Sequence, residues 1–252
     1  MSTGELRGRA AIVTGAAAGI GLTYAAALAG EGVSVAIADI DLPRAEDAAA
    51  ELRASGGDVH AVHVDMGDAA SIEAMAETAL ATAGRIDILV NNAGRHLHTY
   101  ARPCAQIDIG LWRELLDVNI TGPLLAVRAC VPAMREIGGG VVVNQSSAAA
   151  FSATTSYGVS KAALISLTTA LAHELAADGI RVNAIAPGLV DSPAAMEELP
   201  EEFKDSVIAR QAIDRLGRMD DLVSALLYLC GDGSSFMTGQ TLVIDGGITL
   251  RP

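Results

Sequence analysis

Tyr157 and Lys161 stand four residues apart in Tyr157-Gly158-Val159-Ser160-Lys161, so on a helix they share one face. A tyrosine hydroxyl ordinarily titrates near about 10, too high for a base at neutral pH, but a neighbouring ammonium favours the phenolate. Lys161 can supply that charge, and the pair could then move a proton. The chain has only two lysines, Lys161 and Lys204, among 17 Lys and Arg residues, so arginine was not an adequate substitute here. The alternative is a buried tyrosine beside a lysine whose stem covers apolar surface and whose head reaches water.

A second cluster suits phosphate. Thr14-Gly15-Ala16-Ala17-Ala18-Gly19-Ile20-Gly21 follows an apolar run and leads into an Ala-rich stretch. Gly15 permits a tight turn, while Gly19 and Gly21 let a helix N-terminus approach a pyrophosphate, where free N–H groups and the helix dipole favour anions. Glycines also end strands for structural reasons alone. Asp39 closes the next apolar run about 20 residues on, where a carboxylate can accept hydrogen bonds from an adenosine ribose and would repel a 2′-phosphate. Asp39 could instead cap the following loop.

These residues need a scaffold, and the chain alternates apolar runs with longer amphipathic stretches almost to its end. Strands are expected at Ala10–Val13, Val33–Ala38, Val59–Val64, Ile86–Val90, Gly140–Asn144, Arg181–Ile185 and Thr241–Ile244. Helices are expected at Gly19–Gly30, Pro43–Ser55, Ala69–Ala83, Asp108–Glu136, Ser156–Ala177 and Asp220–Leu229. Pro43 suits a first turn, Gly56-Gly57 a helix end, and Asp108 and Asp220 are N-cap candidates. Near-continuous apolar strands joined by helical crossovers predict a doubly wound, mostly parallel α/β sheet whose ligands lie beyond the strand C-terminal ends. No Pro/Ser-rich linker or charge block divides residues 1–252, so one domain is expected.

Composition narrows the function. Of 252 residues 51% are hydrophobic and 19% charged, which excludes a disordered chain. A net charge of −13 argues against sequence-independent nucleic-acid binding and against an anionic lipid surface. No apolar stretch is expected to approach the roughly 20 residues that span a bilayer. The opening MSTGELRGRA lacks an apolar signal core, and a cytoplasmic protein is expected. Cys104, Cys130 and Cys230 form no CxxC pair and read as reduced, buried thiols. His60 with His63, and His96 with His98, lack a Cys or carboxylate at ligand spacing, so no metal is expected.

In order along the chain, these motifs resemble the short-chain dehydrogenase/reductase family, in its branch of about 250 residues. The likeness extends through Asn91-Asn92-Ala93-Gly94, Asn119, Ser146-Ser147, Pro187-Gly188, and Gly239-Gln240-Thr241-Leu242 leading into Ile244-Asp245-Gly246-Gly247. It implies a Rossmann-type sheet of seven strands and hydride transfer between a nicotinamide and an alcohol or ketone carbon. Tyr157 would be the general acid/base, with Lys161 lowering its pKa and holding the nicotinamide ribose. A serine would orient the substrate oxygen, and Asn119 would hold a water leading to solvent. Asn92, Ala93 and Gly94 would line the cofactor, Asp65 and Met66 the adenine pocket, and Val190 and Ser192 the carboxamide.

One position departs from the family pattern. The catalytic serine usually stands 13 residues before the tyrosine, and that place holds Asn144, whereas Ser147 stands only 10 before it. A loop shortened by three residues is expected, with Ser147 as the catalytic serine and Ser146 as the alternative. Members preferring NADP often carry a basic residue where this chain has Ala18 and Ile40, so together with Asp39 the resemblance implies NAD. Arg44, further along, is expected to face solvent.

The substrate is expected between segments 95–107 and 189–213, which are of a length that forms lids. His96, His98 and Tyr100 could meet a polar substrate or belong to a solvated loop, and Ala148 to Phe151 suggest an apolar wall. The resemblance also implies a homotetramer, and the apolar ending Ile248-Thr249-Leu250-Arg251-Pro252 could be tied down at an interface. Two other readings stay open. A 3-oxoacyl thioester reductase shares these motifs, while a dinucleotide sensor would keep the glycine turn and lose the catalytic residues. Enoyl reductases of the family space Tyr and Lys further apart.

Overall fold

Seven short apolar runs become strands: β1 (Ala10–Thr14), β2 (Ser34–Asp39), β3 (Val59–His63), β4 (Ile88–Asn91), β5 (Gly140–Gln145), β6 (Ile180–Pro187) and β7 (Thr241–Ile244). The computed structural model describes residues 6–250, apart from the side chains of Leu97 and His98. All strand pairs are parallel, in the order β3-β2-β1-β4-β5-β6-β7. Every residue of β1 and of β4 is buried, because helices cover both faces. The direction of winding reverses between β1 and β4, so the loops leaving these two strands open a crevice at their C-terminal ends.

The helices are α1 (Gly19–Gly30), α2 (Leu42–Ala54), α3 (Ala69–Ala83), α4 (Leu97–Tyr100), α5 (Ile109–Leu116), α6 (Gly122–Glu136), α7 (Ala149–Ser152), α8 (Ser156–Glu174), α9 (Pro193–Glu198), α10 (Glu201–Ile208) and α11 (Val223–Cys230). On one face Tyr24 and Leu28 of α1 pack with Leu226 and Leu229 of α11. On the other, Ile72 and Met75 of α3 pack with Met134 of α6 and Leu171 of α8. Each such side chain contributes roughly 1.5–3 kcal/mol when fully buried. Asp41 caps α2, with Pro43 in its first turn, and Asp108 caps α5 by accepting from the N–H groups of Gly110 and Leu111.

Several expectations need correction. The helix expected over Asp108–Glu136 is interrupted by a π-turn at Asp117–Thr121, which carries Asn119. Read through that turn, Ile109–Glu136 is a helical run of 28 residues whose most apolar stretch of 18 has a mean hydropathy of 1.3, long and apolar enough to cross a membrane. That overturns the expectation that no stretch approaches bilayer length; half of its most apolar window is buried within the fold, where α6 covers the sheet. Asp220 caps no α-helix. Asp221 accepts from the Arg218 N–H and both guanidinium nitrogens of Arg215, forming a 3-10 turn at Met219–Leu222 that delays α11 to Val223. Cys130 and Cys230 are buried as expected, but Cys104 is exposed. At the C-terminus the Thr249 N–H donates to Asp245, Leu250 is exposed, and Arg251 and Pro252 lie outside the described residues.

His60 of β3 faces Ala10, Ile12, Ala36, Ala79 and Ile86, and its buried Nε2 has no hydrogen-bond partner among the described residues. Burial lowers its pKa, with Arg53 acting in the same direction and Asp58 opposing. The unfolded chain therefore binds a proton here more readily than the folded one. Stability should fall as pH drops through the ordinary imidazole pKa of about 6.5 toward the depressed folded value. Thermal unfolding between about pH 7.5 and about pH 5 should show a steeper loss of Tm in the wild type than in His60→Leu. Parallel pH profiles would refute this.

Candidate active site

The glycine turn is built on contacts that admit no side chain. Gly15 and Gly19 have φ of +63° and +58°, which favour glycine. A Cβ on Gly15 would lie 2.7 Å from Cα of Ala93, and one on Gly21 would lie 2.2 Å from the Gly15 carbonyl oxygen and 2.5 Å from Nδ2 of Asn92. Asn92 Nδ2 donates to the carbonyls of Thr14 and Gly15 at 3.0 Å, and Thr14 Oγ1 accepts from the Asn92 and Ala93 N–H groups at 3.1 Å. The loops after β1 and β4 thus lock together at the switch point.

The structure places a cradle here. Ala18, the N-cap of α1, is extended and offers no side-chain cap, and the space beside Gly19 is open within 4 Å. A pyrophosphate would fit the first turn of α1, held by its N–H groups. Asp39 accepts from Ala17 N–H through Oδ2 at 3.0 Å and from Asp41 N–H through Oδ1 at 3.1 Å. It both caps the following loop and borders the cradle, and each oxygen retains a lone pair for a ribose hydroxyl. Ile40 is exposed and Ala18 half-buried, so no cation stands at either place, and Arg44 faces solvent.

Ser147, Tyr157 and Lys161 come together beyond β5. Thr155 caps α8 through the Gly158 N–H, setting Tyr157 and Lys161 on successive turns, with Lys161 Nζ 5.8 Å from the Tyr157 ring centroid. Lys161 is buried, its Nζ donates to the Gln145 carbonyl at 2.7 Å, and desolvation brings its pKa down to about 8. Tyr157 departs from expectation: burial pushes its pKa above the ordinary value despite the lysine, opposed by a hydrogen bond with the Ser147 side chain. Ser146 turns the other way and donates to the Lys161 carbonyl at 3.0 Å. The shortened loop fits because Ala153 adopts φ of +47° and Gly158 lets α7 close in, a Cβ there lying 2.8 Å from the Ala149 carbonyl oxygen.

Asn119 is buried in the π-turn. Its Oδ1 accepts from Arg95 N–H at 2.7 Å, and its Nδ2 donates to the Arg95 carbonyl and to Ser160 Oγ, both at 3.0 Å. A Cβ on Gly94 would lie 3.2 Å from Asn119 Oδ1 and 3.3 Å from Lys161 Nζ, so that glycine keeps a polar gap open between them. Thr14, Gln145 and Ser160 were not singled out from the sequence. Gln145 could not have been, since it contributes a backbone carbonyl that any residue supplies.

The remaining residues lie in the loops that leave β3 and β6 at their C-terminal ends. Asp65 accepts from Gly67 N–H at 2.8 Å, and Met66 is buried beside Gly122. Pro187 ends β6, Gly188 packs on Asp245, Val190 bridges to Gly217, and Ser192 caps α9. Segment 189–213 forms α9 and α10, with α9 packed against α4 of the opposite segment. Tyr100 is no solvated loop residue: its side chain is buried and hydrogen-bonded to Glu114. His96 is exposed, and the His98 side chain lies outside the described residues.

Comparison with known proteins agrees with this geometry. A family model described as enoyl-(acyl carrier protein) reductase matches residues 15–249. Cis-4-hydroxycyclohexanecarboxylate dehydrogenase of Sinomonas cyclohexanicum is 38% identical over 96% of both chains. A 7α-hydroxysteroid dehydrogenase solved with NADH and 7-oxo glycochenodeoxycholic acid superposes with a TM-score of 0.92 at 32% identity over 100% of both chains. A short-chain type dehydrogenase/reductase from Mycobacterium marinum superposes with a TM-score of 0.91 at 31% identity over 98% of both. The glycine cradle, the crevice at the switch point and these end-to-end likenesses have one explanation: the chain belongs to the short-chain dehydrogenase/reductase family.

Proposed function

We propose that the protein is an NAD-dependent dehydrogenase that interconverts a secondary alcohol and its ketone. The observation that carries this reading is the convergence of Ser147, Tyr157 and Lys161 beside the glycine cradle. Gly15, Ala18, Gly19, Ile20, Gly21, Asp39, Ile40, Asp65, Met66, Asn92, Ala93, Gly94, Tyr157, Lys161, Pro187, Gly188, Val190 and Ser192 would line the dinucleotide. Bound there, it supplies the hydride acceptor or donor. Ser147 holds the substrate oxygen against the Tyr157 hydroxyl. In the reducing direction Tyr157, protonated at rest because burial raises its pKa, donates its proton to the carbonyl oxygen. In the oxidising direction the phenolate takes the hydroxyl proton, and the Lys161 ammonium, charged below about pH 8, favours that phenolate. Asn119 and Lys161 border the polar gap over Gly94, through which the proton would pass to solvent.

Ser147 rather than Ser146 is the catalytic serine in this account. Ser147→Ala should lower kcat by about 10²-fold or more. Ser146→Ala should leave kcat within about threefold while lowering stability by about 0.5–1.5 kcal/mol, because it removes one buried hydrogen bond to a carbonyl that α8 still pairs within the helix. Steady-state kinetics with thermal melts separates the two, and the reverse ranking would exchange their roles.

Asp39, with no cation at Ala18 or Ile40, supports NAD over NADP. Homotetrameric assembly is part of the proposal, supported by exposed Phe236, Val243 and Leu250 around the edge strand β7. The relatives' substrates support a cyclic or fused-ring secondary alcohol, and the motifs shared with 3-oxoacyl thioester reductases keep those thioesters as the second reading. The test is NADH formation from NAD, set against NADPH from NADP, over aliphatic, cyclic and steroid alcohols and 3-hydroxyacyl thioesters. Turnover of one alcohol class with NAD alone is expected. Comparable rates with NADP would defeat the Asp39 argument, and turnover of thioesters alone would favour the second reading.

A further inference from the structure

The segment expected to wall the substrate is attached at both ends to the catalytic machinery. At its start, Arg95 exchanges two hydrogen bonds with the Asn119 side chain. At its far end stands Ser156, which directly precedes Tyr157 and is fully buried. The Ser156 N–H donates to the Arg102 carbonyl at 2.8 Å, and the Arg102 N–H donates back to Ser156 Oγ at 3.3 Å. The Ser156 hydroxyl also approaches the Tyr100 carbonyl and, at 3.1 Å, the Arg102 carbonyl, so its single proton has an acceptor on either side.

We infer that Ser156 is a positioning residue that fixes segment 96–101 over the substrate and so sets which alcohols the site accepts. Nothing about helix formation requires this hydroxyl, because Thr155 already caps α8 through its own side chain. Nor does Ser156 reach the reacting atoms: among the described residues, its hydroxyl hydrogen-bonds only with segment 100–102. The residues between the two clamps include α4, which packs against the lid helix α9. A shift of the far clamp is therefore transmitted to both walls of the substrate space, while Ser147, Tyr157 and Lys161 keep their own partners. The inference rests on the dehydrogenase reading for its kinetic half and on geometry alone for its structural half.

The test uses the full-length protein with Ser156→Ala, and with Ser156→Cys, which keeps the size but weakens the acceptor. Amide hydrogen exchange needs no substrate: exchange across residues 96–102 should speed up about tenfold in Ser156→Ala, with β1, β4 and β5 unchanged. With an alcohol that the wild type accepts, KM for the alcohol should rise about tenfold, kcat should stay within about threefold, and the Kd for NAD should not move. Ser156→Cys should fall between the two. Unchanged exchange in segment 96–102 would overturn the clamp. Faster exchange with an unaltered KM would overturn its role in substrate selection, as would a fall in kcat at constant KM. Absence of any alcohol turnover by the wild type would instead count against the dehydrogenase reading, leaving the exchange result to decide the clamp.

Discussion

Tyr157→Phe is expected to lower turnover of an accepted alcohol by about 10²–10⁴-fold, the range that a positioned acid/base contributes. The ring of Tyr157 would remain beside Lys161, and the loss of one oxygen would remove only the proton donor that meets Ser147. Binding of NAD should stay within about threefold, because the cradle at Gly15–Gly21 uses none of the phenol. The check is kcat and the NAD dissociation constant measured on the same preparation. A variant that kept most of its turnover would remove Tyr157 from the chemistry. The pH profile offers a finer view: burial holds the hydroxyl above its ordinary pKa, so in the free enzyme the phenolate grows only as pH rises.

Gly21→Ala is expected to damage both the fold and the cofactor site. Its Cβ would sit 2.2 Å from the Gly15 carbonyl oxygen, 2.5 Å from Asn92 Nδ2 and 2.9 Å from Ala16 Cα, so the backbone of the glycine turn and the Asn92 side chain that ties it to the loop after β4 must move. Overpacking of this kind costs about 1–3 kcal/mol, and the only relief is to widen the turn that receives the pyrophosphate. An increase of about 10²-fold in the NAD dissociation constant should accompany a fall in Tm of several degrees. Gly30→Ala is the internal control. It lies at the other end of α1 with nothing within 4 Å of its Cβ, and it should leave binding unchanged and stability equal or slightly higher. Equal binding by both variants would show that the Gly21 contact is not what shapes the cradle.

The parts of the site legible in the sequence are those where a backbone needs a particular residue. Gly15, Gly19 and Gly21 answer to positive φ or contacts too short for a Cβ, and Asp39 to the end of a strand, so spacing alone located them. All seven strands were legible, the five inner ones because apolar runs buried on both faces leave little ambiguity, and the edge strands β3 and β7 from short runs rich in Val, Ile and Leu. Other features depend on contacts between distant segments. The π-turn that carries Asn119 has no residue signature, since Asp117–Thr121 would read as ordinary helix, and its register is read off only where Asn119 meets Arg95 and Ser160. Asp221 displaced Asp220 because Arg215 lies within reach, which spacing cannot show. The expectation that Lys161 would lower the Tyr157 pKa took account of charge but not of burial, and burial dominates. Counting residues back from Tyr157 led to Asn144. That residue is buried with its side chain bridging Asn91 and Thr168, whereas Ser147, reached from the strand side, is the serine hydrogen-bonded with Tyr157.

The central claim is that a hydride passes directly between a carbinol carbon and the nicotinamide within this crevice. The most direct measurement supplies NAD with a secondary alcohol deuterated at the carbinol carbon and examines the product dinucleotide by mass spectrometry. The account requires deuterated NADH from the wild type and a loss of its formation in Tyr157→Phe. NADH free of deuterium, or deuterated NADH formed equally fast by Tyr157→Phe, would contradict it.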